Sequence, residues 1–138
     1  MLLAPLVAVL VIAAVAGMLR LQRGAQQRRM VGRPAPAGHG APTDIVYFTG
    51  VNCGICHVAQ RPALHRLGEA FPDLQVHEVD VDADPSAARA YHVMALPTTV
   101  VLDRAGRVSA LNAGFAPEAL LRTQVEAARA VTAAAALS

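Results

Sequence analysis

The chain begins with an apolar block, Leu2 to Leu19, that contains no charged residue. As an α-helix rising about 1.5 Å per residue it reaches about 27 Å, just enough to cross a hydrocarbon layer about 30 Å thick. From Arg20 to Pro42 the pattern changes to Arg, Gln, Gly, Ala and Pro, a composition that predicts a linker, with the folded part starting near Thr43. Beyond that point strand and helix periods alternate. Ile45 to Thr49 is a short β-rich run, and Gly54 to Ala70 repeats apolar residues (Ile55, Ala59, Ala63, Leu67, Ala70) at a helical period. Val76 to Val81 alternates with charges as a strand, and Asp84 followed by Pro85 caps a helix running to about Tyr91. Thr98 to Leu102 and Arg107 to Leu111 flank Asp103-Arg104-Ala105-Gly106 as a hairpin, and Pro117 to Ala130 reads as an alanine-rich helix. This β-α-β-α-β-β-α order requires a parallel pair with a right-handed crossover and then an antiparallel hairpin. The fold class is therefore α/β, a central mixed sheet covered by helices on both faces. The chain divides into an apolar anchor or signal segment at 1–21, a basic Pro/Gly-rich linker at 22–42 and a folded domain at 43–138.

The charge distribution bears on which side of a membrane the domain would lie. Residues 1–40 carry five arginines and no acid, whereas residues 41–138 carry seven arginines against ten acids. The folded part has no basic excess, which argues against nucleic acid as a partner. The basic cluster follows the apolar block, where anionic lipid headgroups would attract it. By the positive-inside rule this arrangement predicts a single-pass membrane protein with its N-terminus outside and its domain in the cytoplasm. The alternative is a signal peptide cleaved after Ala14-Val15-Ala16, which would put the domain in an extracytoplasmic, oxidising space.

The two cysteines form the pair Cys53-Gly54-Ile55-Cys56, directly after the first predicted strand and at the start of a helix. In a cytoplasmic domain a close pair points to catalysis or metal binding rather than to a structural disulfide. Unpaired amides and the helix dipole favour a thiolate at Cys53, which makes Cys53 the expected nucleophile and Cys56 the resolving thiol. Two other chemistries share these residues. Cys53 to His57 also spells an attachment motif for c-type haem, with Met94 as a distal ligand, but small haem-c domains are mainly helical and this motif follows a strand. A zinc site lacks a second pair, since His39, His65, His77 and His92 show no matching spacing. No metal or cofactor is expected. Pro97, in Tyr91-His92-Val93-Met94-Ala95-Leu96-Pro97-Thr98, stands right before a strand, where a ladder N–H would normally be wanted.

Taken together, residues 43 to about 130 resemble a thioredoxin domain. The resemblance is carried by Cys53-Gly54-Ile55-Cys56, by Tyr91, Val93 and Leu96-Pro97-Thr98, by the turn from Asp103 to Gly106, and by Gly114. It implies a thioredoxin-like three-layer fold and a thiol–disulfide oxidoreductase acting on protein disulfides or dithiols, here at a membrane. It also implies a cis bond before Pro97, a substrate-binding surface at Leu96, Pro97 and Gly114 in which backbone groups of Leu96 pair with the bound peptide, and supporting roles for Gly54 and Ile55. The family's usual first strand and first helix have no counterpart. Gly-Ile replaces the usual Gly-Pro between the cysteines, and Asn52 replaces the usual tryptophan. Tyr47 stands where the family's buried aspartate would be, and Glu78 on the next strand is a candidate proton acceptor in its place, against the alternative of a solvated strand residue. Pro62 is expected to bend the helix after the cysteines. The alternative function is a membrane-tethered thioredoxin-like module that binds without turnover. The substrate and the upstream thiol reductant are not specified by these residues.

Overall fold

The computed structural model describes residues 1–36 and 43–137; the last part of the predicted linker, 37–42, lies outside the described residues. Four strands, β1 (Ile45–Thr49), β2 (Val76–Asp80), β3 (Thr98–Leu102) and β4 (Val108–Ala113), form one sheet in the order β2-β1-β3-β4. β2 is parallel to β1, while β3 is antiparallel to both β1 and β4. β1 lies between two neighbours and is covered on both faces, so all five of its residues are buried and its first four are a continuous apolar run. β2 is an edge strand, and its His77 and Glu78 are exposed.

Side chains of a strand alternate between faces, and that alternation divides the core in two. Ile45, Tyr47, Val101 and Ala110 pack against α2 (Arg61–Ala70) and α4 (Glu118–Leu137), through Leu64, Leu67, Leu121 and Val125. Val46, Phe48, Val100 and Leu111 point to the other side and meet Ala87 of α3 (Pro85–Ala90) and Tyr91. The rings of Phe48 and Tyr91 lie 5.2 Å apart, and burial pushes the pKa of the Tyr91 hydroxyl up to about 12. The result is the expected three-layer α/β sandwich. α3 begins as predicted, with the Asp84 carboxylate accepting the amide N–H of Ala87 and Pro85 in the first turn.

The largest departure from expectation is at the N-terminus. One helix, α1 (Leu3–Met30), runs without a break through the apolar block and on into residues that composition had assigned to the linker. The physical reason is local. Residues 20–30 contain Leu, Gln, Arg and Ala, which are good helix formers, with one glycine and no proline, whereas the prolines of the predicted linker begin at Pro34. The C-terminal end of α1 is also held by the domain. The Gln26 side-chain amide donates to the His92 carbonyl, and Met30 is buried in the cluster with Val46, Phe48 and Val108. The chain then follows the hairpin end of β4. Gly32 N–H donates to the Val108 carbonyl, Val108 N–H to the Arg33 carbonyl, and Ala35 N–H to the Gly106 carbonyl, each at 2.8 Å. α1 is long and apolar enough to cross a membrane by length and composition.

Candidate active site

Cys53 and Cys56 lie just past the C-terminal end of β1, where the chain turns into a helix, and their sulfurs are joined in a disulfide with Cα atoms 5.3 Å apart. The two are not equivalent: Cys53 is partly exposed, while Cys56 is fully buried in the core beneath it. The amide N–H of Cys56 donates to the Cys53 sulfur at 3.3 Å, and Cys53 N–H in turn donates to the Gly50 carbonyl at 3.1 Å. A backbone dipole is therefore aimed at the more accessible sulfur, the arrangement that favours a thiolate once the disulfide is reduced. Gly54 and Ile55, exposed between the cysteines, open the helix.

The helix that follows is not regular at first. Residues Cys56–Gln60 form a π-turn that leads into α2, with Arg61 N–H bonded to the Cys56 carbonyl. The predicted bend at Pro62 is thus replaced by a π-turn that immediately precedes it, a local rearrangement of the helical hydrogen bonds next to a residue that has no N–H to donate. The Cys56 carbonyl also accepts the hydroxyl of Tyr47 at 3.0 Å. Burial pushes the Tyr47 hydroxyl above its ordinary value, opposed by the nearby Thr49 hydroxyl and the Arg61 charge, so it stays a neutral donor through the physiological range. Beneath the resolving cysteine the chain therefore holds a phenol. Glu78 is exposed on β2, directly across from Tyr47, and its carboxylate is 2.6 Å from the Arg61 guanidinium in a half-exposed ion pair. Such a pair contributes about 0–1 kcal/mol.

The Leu96–Pro97 peptide bond is cis, as expected, and Leu96 packs against the same core cluster as Cys53. Leu96 is partly buried between the two core clusters, and Pro97 is buried. The loop before Cys53 approaches Leu96 so closely that a Cβ on Gly50 would stand 3.1 Å from the Leu96 Cδ1. Gly114 is tied to this loop, its N–H donating to the Pro97 carbonyl at 2.8 Å, and it adopts φ +97°, a left-handed conformation that favours glycine. An added Cβ there would meet nothing within 4 Å. Gly114→Ala should therefore cost only backbone strain, about 1 kcal/mol, readable as a lower denaturant midpoint with unchanged slope.

One structural residue of the site escaped the sequence reading. Gln60 is fully buried at the end of the π-turn and clasps Ala116 from both sides: its Nε2 donates to the Ala116 carbonyl at 3.0 Å and its Oε1 accepts the Ala116 N–H at 2.9 Å. It thereby fixes the loop that starts at Gly114 to the helix carrying Cys56. His57 and Met94, the residues a haem ligand set would use, are both exposed.

Comparison with known proteins agrees with this geometry. Thioredoxin H2 of Arabidopsis thaliana is 35% identical over 60 residues, 44% of each chain. The mitochondrial thioredoxin-3 of Saccharomyces cerevisiae is 36% identical over 76 residues, 55% of this chain and 58% of its own length. The chain thus spans about half the length of these curated relatives. The crystal structure of oxidised mitochondrial thioredoxin 3 from S. cerevisiae superimposes with a TM-score of 0.54 at 25% identity, covering 78% of this chain and 89% of that one. Fasciola hepatica thioredoxin gives 0.54 at 30% identity over 62% of this chain and 79% of its own. With a mixed sheet, a disulfide at the end of β1, a cis proline before β3 and a match to the Thioredoxin family model over residues 40–127, the chain belongs to the thioredoxin family.

Proposed function

We propose that this protein is a thiol–disulfide oxidoreductase that exchanges disulfides of protein substrates at a membrane surface, with Cys53 as nucleophile. The observation that carries this reading is the asymmetry of the pair: a reachable Cys53 sulfur that accepts an amide N–H, and a buried Cys56 within bonding distance behind it. In the reducing direction the Cys53 thiolate attacks one sulfur of a substrate disulfide, that S–S bond breaks, one substrate thiolate leaves, and a mixed disulfide forms on Cys53. Cys56 then loses its proton and attacks the Cys53 sulfur, releasing the second substrate thiolate. Two electrons have passed to the substrate, its two sulfurs take up the protons, and the Cys53–Cys56 disulfide remains. An external thiol or dithiol donor must reduce that disulfide for the next cycle. In this reading the substrate backbone would lie along Leu96, Pro97 and Gly114, a reading supported by the cis Leu96–Pro97 bond and by the Gly114 N–H bonded to the Pro97 carbonyl.

Membrane attachment is part of the proposal. The apolar half of α1 supplies the span, and the arginines after it put the domain on the cytoplasmic side. Cys56→Ser is expected to arrest exchange at the first step, so that proteins accumulate on Cys53 in reductant-sensitive complexes in the membrane fraction. Recovery of no protein or small thiol on Cys53 would defeat the catalytic reading and favour a binding module. Rapid labelling of Cys53 by a membrane-impermeant thiol reagent on intact cells would reverse the orientation.

A further inference from the structure

The way α1 lies on the sheet fixes which end of the domain meets the bilayer. At the hairpin end of β4, Arg33 is bonded to Val108, and Met30 is buried in the same cluster as Val108. Running back from Met30 to Leu19, the helix covers about 16 Å at about 1.5 Å per residue, and β4 from Val108 to Ala113 covers about 17 Å at about 3.4 Å per residue. The matching lengths put Leu19 level with Ala113. The side chains agree: a crevice of about 360 Å³ has Leu19, Arg23 and Gln26 on one wall and Met94, Ala95 and Ala113 on the other.

Leu19 closes the apolar block and Arg20 follows it, so α1 leaves an apolar layer at the level of Ala113. Strand register carries that level across the sheet, since Ala113 pairs with Thr98 and Thr98 with Phe48. Cys53 follows β1, the cis Leu96–Pro97 bond precedes β3 and Gly114 follows β4, so the whole site lies on the side from which the apolar half of α1 extends. On that same side large apolar side chains are exposed around the dithiol: Met94 at 84%, Val51 at 67% and Phe115 at 46%. The far end is polar, with Asp73 and Arg104 in an exposed ion pair.

We propose that the dithiol end of the domain rests on the bilayer, with Val51, Met94 and Phe115 among the lipid headgroups and Arg20 and Arg23 facing phosphates. The substrates are then disulfides that lie at the bilayer surface, where polypeptide segments of membrane proteins emerge. The substrate class rests on the oxidoreductase reading above; the orientation does not.

The test uses the full chain in nanodiscs of phosphatidylcholine and phosphatidylglycerol. In a Cys53→Ser, Cys56→Ser background, single cysteines replace Val51, Met94, Phe115 or, at the far end, Arg104, and each carries a fluorophore facing headgroup-level spin-labelled lipid. Quenching at the three rim positions is expected to exceed that at position 104 by about threefold, since interfacial groups reach only 5–10 Å into this region. Equal quenching, or stronger quenching at 104, overturns the orientation. With both cysteines intact, a peptide disulfide tethered to lipid should react about tenfold faster than the same peptide free in solution, because both partners share one surface. Exchange with both peptides at equal rates overturns the substrate class, whereas exchange with neither, alongside a clear rim contrast, overturns the oxidoreductase reading and leaves the orientation standing.

Discussion

Cys53→Ser is expected to lower the rate of disulfide exchange on a soluble peptide disulfide by on the order of a thousandfold, because a serine hydroxyl is scarcely ionised at neutral pH and is a far weaker nucleophile than a thiolate. Cys56 cannot substitute for it. Its sulfur is fully buried, and no substrate disulfide can reach it without opening the core around Leu64 and Leu67. The fold should survive, since position 53 is only partly buried. The measurement is the single-turnover rate of reduced full-length protein against the peptide, with unfolding midpoints taken beside it. A variant that keeps more than about a tenth of the rate would mean that the attacking group has been misassigned.

Gln60→Leu is expected to cost about 2–5 kcal/mol of stability, well above the loss of an exposed ion pair such as Arg61–Glu78. The substitution keeps the approximate volume but strands the Ala116 N–H and carbonyl in a buried site, and each unsatisfied group costs about 1–3 kcal/mol. Denaturant unfolding should show it as a lower midpoint with a similar slope. Gln60→Glu provides a sign test. A carboxylate can still accept the Ala116 N–H but opposes the Ala116 carbonyl, so its folded-state pKa lies above the unfolded value near 4.3. Its stability is fully present below that unfolded value and falls as pH rises through the folded one. The variant should therefore approach wild type on acidification and be weakest at neutral pH.

The order of elements along the chain and the dithiol were legible because local and global signals agreed. β1 is a short β-rich run, its cysteines follow at once, and Asp103 to Gly106 mark the hairpin. The cis bond before Pro97 was accessible only through the family resemblance, since nothing in the adjacent residues distinguishes it from an ordinary trans peptide. The continuation of α1 was hidden by averaging: the prolines of residues 34–42 made the whole stretch from Arg20 look like linker, although the helix-forming part has none. Gln60 could have been found. It falls on the buried stripe of Cys56, Ala63, Leu64 and Leu67, and a polar residue in such a stripe needs a buried partner. The π-turn and the Tyr47 contact depend on how that helix seats against β1, which no local pattern records.

Met30 has a consequence for any attempt to separate the domain from its apolar segment. The frontier between what can be shed and what must be kept lies inside one continuous helix, between Leu19, which is exposed, and Gln26, which is clasped by His92. A protease nick before that frontier would leave the domain with its filling intact. Truncation at Thr43 would instead pull a plug from beneath Val46 and Phe48, leaving a void where a methionine belongs.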